Sequence, residues 1–506
     1  MLFNSPEFIF GFLPLTLLGF FLLARWSTQW ALAWLTLASL FFYGWWNPQW
    51  LPLMLASIAF NFVAGREIAA KAMGQSTGLL SGLSGRSLLI AAIAINLALL
   101  VYFKYAAFLV DSAAWLTGSA YRFEAAELPL GISFFTFTQI AFLVDVHQRK
   151  AADFAPVRYG LFVTYFPHLV AGPILHHKEM MPQFARPDIF RFSAERLADG
   201  GVIFILGLFK KTVLADAFGG YARPAFAAAQ MQALSLFESW GAALSYTLQI
   251  YFDFSGYSDM AIGLALMIGV QLPMNFDSPY KARNIAEFWR RWHMTLSRFL
   301  RDYLYIPLGG NRRGLARQQV NLLATMLLGG LWHGAGWTFV IWGGLHGLYL
   351  VVFHAWRRLV DRFGPGHQHE IAARITAPIS WLATFLAVVV AWVFFRATDL
   401  PTALSLLRGM AGQNGAVLPD QIIALVPALG HIADGVGKVA YLADGTVMGC
   451  VEMALMIGLG LAIVLAAPNL PQLSARWRYL LVLPCAALAL QRVLYGRASE
   501  FLYFQF

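Results

Sequence analysis

Leu327-Leu328-Gly329-Gly330-Leu331-Trp332-His333-Gly334-Ala335-Gly336-Trp337 places one imidazole among glycines and indoles, inside an apolar run long enough to be buried in a membrane. An ionisable side chain is costly at that depth and marks a functional site by default. Upstream lies a denser segment, Glu287-Phe288-Trp289-Arg290-Arg291-Trp292-His293-Met294-Thr295-Leu296-Ser297. Two histidines in such settings suggest base-assisted chemistry within a membrane.

The composition fits that setting. Of 506 residues, 59% are hydrophobic and 12% charged, whereas a soluble domain averages about 25% charged. The 44 glycines and 17 tryptophans suit close helix packing and interfacial anchoring. The whole chain, 1–506, reads as one polytopic, all-α membrane domain. A net charge of +10 raises the question of nucleic acid. No basic run carries interleaved base-reading chemistry, and the excess Lys and Arg sit between apolar spans. That is the pattern of cytoplasmic loops and anionic lipid contacts, so nucleic acid is not a partner. Cys450 and Cys485 lie in apolar runs and read as buried thiols. The first apolar stretch follows no basic region or cleavage signal and reads as a retained anchor.

A spanning helix needs about 20 mostly apolar residues. Candidates are 8–24, 30–46, 50–65, 88–110, 129–146, 158–175, 200–218, 240–270, 318–333, 337–356, 376–395, 449–467 and 477–495. Some are short or broken by Gly and Pro, so the expectation is about 10–13 transmembrane or re-entrant helices. The breaks Leu128 to Ser133 and His168 to Pro173 point to a cavity, because irregular backbone at membrane depth must be covered by protein or line water. Basic clusters at Arg66 to Arg86, Arg149 and Lys150, Lys210 and Lys211, Arg283 to Arg317, and Arg357 to Arg374 read as cytoplasmic. The segment 408–447 reads as an extra-membrane loop. No internal repeat is visible, which counts against a transporter.

Asn284 to Tyr305 reads as a single amphipathic helix. At about 100° per residue, Arg290, Arg291, Arg298 and Arg301 share one face and Trp289, Trp292, Leu296, Phe299 and Leu300 the other. His293 lies at the margin of the apolar side. Lys281, Arg283, Arg290 and Arg291 can hold the diphosphate of a nucleotide thioester or equally lipid headgroups.

For His333 the readings are a packing histidine bonded to a carbonyl, or a general base. Gly334 and Gly336 clear space beside it, and Trp332 and Trp337 form a wall that favours an uncharged ring able to take a proton. His293 either caps the arginine face or orients an acyl donor. His346 reads as packing. His176 and His177 read as a solvated turn, and His367-Gln368-His369 as a loop without metal-ligand spacing; no metal is expected. Asp253 and Asp259, in an apolar setting, must pair; tyrosines and the arginine helix are the expected partners, a polar cavity lining the alternative. The aromatic end Phe501-Leu502-Tyr503-Phe504-Gln505-Phe506 within 498–506 is either an interfacial anchor or the carrier of a phenol, Tyr503, that accepts an acyl group.

Tyr251 to Gly263, Glu287 to His293, Arg301 to Arg312 and Leu331 to Ala335, with Pro129 to Phe134, Pro167 to Pro173 and the aromatic terminus, resemble the membrane-bound O-acyltransferases (MBOAT). The bacterial alginate O-acetyltransferase membrane-subunit branch is the nearest in kind. The resemblance implies a ring of membrane helices with a central tunnel, in a bacterial inner membrane. It implies that His333 is the catalytic histidine, His293 the second polar position of the active site, and Tyr503 part of an acyl relay. It implies no permanently bound cofactor. The donor would be acyl-CoA, namely acetyl-CoA, and the group would pass to a periplasmic SGNH-type acetyltransferase or related secretion-complex protein. The final acceptor would be a polysaccharide such as alginate, cellulose or peptidoglycan. Trp332 joins the arginines as a donor-binding residue. The rival readings are a transporter or flippase that moves a lipid-linked or acyl carrier without making bonds, and a scaffold subunit.

Overall fold

The computed structural model describes residues 1–74, 82–151, 153–170, 172–362, 367–431, 435–436, 446–496, 499 and 501–502. These residues are helical apart from loops and two short parallel strands, Val417–Leu418 and Gly435–Val436. Seven helices among them are long and apolar enough to cross a bilayer: Glu7–Ala24, Pro48–Ala72, Gly85–Thr117, Trp337–Asp361, Thr376–Arg396, Val447–Ala466 and Ala475–Tyr495. Each matches an apolar run in the sequence. Ser27, Ser84 and Thr446 cap the helices Thr28–Gly44, Gly85–Leu100 and Val447–Ala466, each hydroxyl accepting a backbone N–H of the first turn. Leu15, Leu37, Leu455 and Leu483 point outward and are exposed, which is where lipid replaces water as solvent.

The chain packs into two compact units. One comprises Met1–Leu208, Tyr257–Met274 and Tyr479–Phe506; the other comprises Phe209–Gly256 and Asn275–Arg478.

In the first unit an aromatic cluster of Phe3, Phe8, Phe42, Phe166 and Tyr257 forms the core. Buried polar side chains join its helices. Asn61 and Asn96 exchange amide hydrogen bonds of 3.1 and 2.7 Å, and Gln139 donates to Ser57 at 2.9 Å. Such bonds hold helices together where no hydrophobic difference exists between protein and lipid. The short helix Ile132–His147 is buried on nearly every side. Gly131 starts it with φ +70°, and a Cβ there would lie 3.2 Å from the Leu169 carbonyl oxygen. The two broken segments therefore meet at this point. His176 and His177 are buried, not solvated. His177 opens the helix His177–Phe184, its ring 5.0 Å from that of Phe142 and 5.4 Å from that of Phe162.

In the second unit Lys211 is also buried rather than part of a cytoplasmic loop. It lies in the π-type turn Lys210–Ala215 and bridges Asp216 at 2.9 Å and Asp253 at 2.7 Å. A partner of Asp253 is thus a lysine that the sequence reading did not name. A buried carboxylate must be paired, and the hydropathy pattern does not reveal which cation reaches it. The 408–447 region contains the end of helix Leu400–Met410, the helix Asp420–Leu425 and the paired strands. The 367–369 stretch opens the helix His367–Arg396 instead of forming a loop.

Candidate active site

His333 is the last residue of the helix Leu315–His333. Gly334, Ala335 and Gly336 then reverse the chain into Trp337–Asp361, with extended backbone at Gly334 and Gly336. The two helices pack backbone to backbone. A Cβ at Gly343 would lie 2.3 Å from the Met326 carbonyl oxygen and 3.1 Å from the Gly330 Cα; one at Gly330 would meet the Phe339 carbonyl oxygen at 2.3 Å. Small residues at a helix interface permit this approach, and it fixes the depth and direction of His333.

The space beside Gly334 is occupied. A Cβ there would sit 2.1 Å from the Phe339 ring, so that glycine makes room for a phenylalanine rather than for a ligand. The wall around His333 also differs from the sequence expectation. Trp332 lies against it, ring centroids 5.0 Å apart, but Trp337 is 56% exposed. Trp342, at 5.0 Å, and Phe395, at 5.1 Å, complete the wall. The chain reversal turns Trp337 outward and brings residue 342, a turn further on, to face the imidazole. His333 itself is 3% exposed.

The segment expected as one helix from Asn284 to Tyr305 is broken. It forms Ile285–Arg291, capped by the Asn284 side chain on Glu287 N–H, then Met294–Leu300, then a π-type turn Arg301–Tyr305. The break falls on His293, which has φ 42° and ψ 55°. A left-handed conformation is uncommon for a residue other than glycine and persists only when its surroundings over-determine it. Asn275 supplies that constraint. Its backbone carbonyl accepts from Met294 N–H at 3.0 Å. Its side-chain Oδ1 accepts from Thr295 N–H at 3.2 Å and from Thr295 Oγ1 at 2.7 Å, and lies 3.2 Å from His293 Nδ1.

This arrangement fixes a tautomer. The Thr295 backbone N–H can only donate, so the atom facing it is the amide oxygen. That oxygen can only accept, so His293 Nδ1 carries the hydrogen and Nε2 holds the lone pair. Burial pushes the pKa of His293 down to about 3, and the ring is neutral. In this tautomer Nε2 has no N–H with which to polarise a carbonyl oxygen; it is an acceptor.

The two histidines come together. Their ring centroids are 6.4 Å apart, with Trp332 6.2 Å from His293 and Phe254 4.7 Å from it. His346 is separate in role. Trp289 Nε1–H donates to its Nδ1 at 3.2 Å, and its ring lies 4.9 Å from that of Trp342. It supports the wall.

The basic residues divide. Lys281 donates to the Ala467 carbonyl at 2.7 Å, and Arg291 is held by Glu287 at 2.8 Å and by the Asp277 carbonyl at 3.2 Å. These two brace the local fold. Arg283 and Arg290 are exposed. Trp332 is buried against both histidines. Tyr503 lies outside the described residues. Just before it, Phe501 is buried, its ring 4.4 Å from that of Tyr257, and Asn4 donates to the Ser499 carbonyl at 3.1 Å. Sequence reading missed the clamp made by Asn275 and the wall made by Trp342 and Phe395. The available signal for the first was one amide in the apolar loop Leu272-Pro273-Met274-Asn275-Phe276.

The model of the MBOAT, membrane-bound O-acyltransferase, family matches residues 84–395, which include both histidines. A peptidoglycan O-acetyltransferase of Helicobacter pylori is 43% identical over 451 residues, 83% of this chain and 81% of that protein. A probable alginate O-acetylase AlgI of Pseudomonas aeruginosa is 40% identical over 415 residues, 81% of this chain and 75% of that protein. A teichoic acid D-alanyltransferase of Streptococcus thermophilus is 30% identical over 238 residues, 45% of this chain and 57% of that protein. The matched region holds the helix that ends at His333 and the clamp around His293 and, at this identity over most of its length, the chain belongs to the membrane-bound O-acyltransferase family as a multi-pass O-acyltransferase.

Proposed function

We propose that the protein takes an acetyl group from acetyl-CoA on the cytoplasmic side of a bacterial inner membrane and passes it outward for O-acetylation of an exported polysaccharide. The observation that carries this reading is the pair His293 and His333, 6.4 Å apart between aromatic walls. His333 removes the proton from an acceptor hydroxyl. The oxygen forms a bond to the thioester carbonyl carbon, and the carbon–sulfur bond breaks as the tetrahedral intermediate collapses. The departing thiolate takes the proton from the His333 imidazolium, leaving an oxygen ester and free coenzyme A. His293 accepts a hydrogen bond from an amide N–H of the donor's pantetheine arm and holds it against His333. Exposed Arg283 and Arg290 take the donor phosphates. The dry aromatic surroundings strengthen these contacts and keep water from the thioester.

The immediate acceptor is the Tyr503 phenol, which carries the acyl group on to a periplasmic SGNH-type acetyltransferase. The aromatic motif itself and the burial of Phe501 just before Tyr503 support this reading over a solvated end. The polymer is an exported polysaccharide, in keeping with relatives named peptidoglycan O-acetyltransferase and probable alginate O-acetylase. Ester-linked acetate on the exported polymer of a host lacking the gene tests this. Wild-type protein restores it, and His333→Ala at equal protein level does not. Restoration by the variant contradicts the assignment.

A further inference from the structure

The first unit carries a second candidate site, outside the histidine pair. The Glu7–Ala24 span is followed by Arg25, then by Trp26 and Trp30, which are 83% and 66% exposed. Exposed tryptophans mark the membrane–water interface, so Arg25 stands at headgroup level. Along the span runs an open groove of about 960 Å³, lined on one side by Leu13, Leu17 and Phe21 and on the other by Phe192 and Met267. That volume lies in the range of small-molecule sites, about 300–1,000 Å³.

Two arginines also line it, Arg25 and Arg191. They lie toward the same end. Phe190 stacks on Phe20 at 5.9 Å and Phe192 meets Phe21 edge-on at 5.5 Å, so the backbone at Arg191 runs beside Phe20 and Phe21, on the stretch that leads to Arg25. From Leu13 to Arg25 a helix rises about 18 Å, close to one leaflet of a hydrocarbon core about 30 Å thick. The neighbouring Arg186 and Arg196 are both engaged by Asp188, at 2.5 and 3.4 Å. Among the described residues neither Arg25 nor Arg191 forms such a pair. The groove is therefore apolar over the depth of an acyl chain and doubly cationic where a phosphate would lie.

We propose that this groove binds an anionic glycerophospholipid, with one acyl chain along Leu13 to Phe21 and the phosphate on Arg25 and Arg191. Arginine suits phosphate because its planar fork donates two parallel hydrogen bonds. The test uses the full-length protein in detergent, titrated with phosphatidylglycerol or phosphatidylcholine of identical acyl chains. Bound lipid is counted by native mass spectrometry and stability is followed by thermal unfolding. Phosphatidylglycerol binds at one copy at least tenfold more tightly than phosphatidylcholine and raises Tm; inorganic phosphate alone does not raise it. Arg25→Gln with Arg191→Gln removes the preference, and Leu17→Trp, which fills the groove, weakens both lipids. Equal binding of the two lipids by wild-type protein overturns the proposal, as does an unchanged preference in the double variant. Protection by inorganic phosphate equal to that by the lipid also overturns it. The wild-type comparison decides the matter even if a variant fails to fold.

Discussion

Asn275 decides what His293 can do. One side-chain oxygen receives the Thr295 N–H, the Thr295 hydroxyl and His293 Nδ1–H. Removing it leaves buried donors unmet, at a cost of about 1–3 kcal/mol for each group that finds no substitute. Asn275→Leu lowers the Tm and the rate of acyl transfer, whereas Asn275→Asp keeps an acceptor in place and retains more of both. Equal loss of activity in the two, measured on folded protein, would show that Asn275 merely fills space. The two histidines stand out in the sequence, since an imidazole in an apolar run attracts attention wherever it falls. The left-handed turn at His293 was not legible. Nothing local demands it, because the constraint arrives from a loop eighteen residues upstream. The periodicity of Asn284 to Tyr305 continues across the break and conceals it. Trp337 likewise looked like a neighbour of His333 by position, until the chain reversal assigned that place to Trp342.

Helix is joined to helix here by close approach more than by side-chain bulk. Gly330 and Gly343 bring the backbones of Leu315–His333 and Trp337–Asp361 together, while Gly344 has room, its nearest neighbour being the Leu327 Cδ2 at 3.4 Å. Gly343→Leu therefore forces the hairpin apart and costs about 1–3 kcal/mol or more, seen as a lower Tm and loss of acyl transfer. Gly344→Ala is nearly silent in both assays. If Gly343→Leu keeps wild-type Tm and activity, the close crossing does not position His333. Elements of this kind were well signalled. Hydropathy located the seven long apolar helices because a bilayer imposes a length on them. The broken segments were signalled as broken, but their meeting was not. Gly131 packs on the Leu169 carbonyl, a tertiary contact that composition does not show. Lys211 was misplaced for a similar reason. A lysine next to another lysine resembles a loop until the buried Asp253 and the half-buried Asp216 that hold it are seen.

For the whole molecule, composition pointed to a helical membrane protein, and the motif resemblance to a family of acyltransferases was confirmed by the matching region and relatives. Family membership also decides against a transporter that makes no bonds. The aromatic terminus separates a relay from an anchor. Tyr503→Phe retains the apolar ring and loses only the hydroxyl, so it leaves Tm and protein level unchanged while polymer acetylation falls at least tenfold. Full acetylation in that variant assigns the terminus to anchoring. The central claim is that His333 acts as the base, and purified protein supplied with acetyl-CoA labelled in the acetyl group tests it most directly. With an acceptor present, His333→Ala should release free coenzyme A about 10²–10⁴-fold more slowly than wild type at unchanged Tm. A wild-type rate of release from the folded variant would contradict the account.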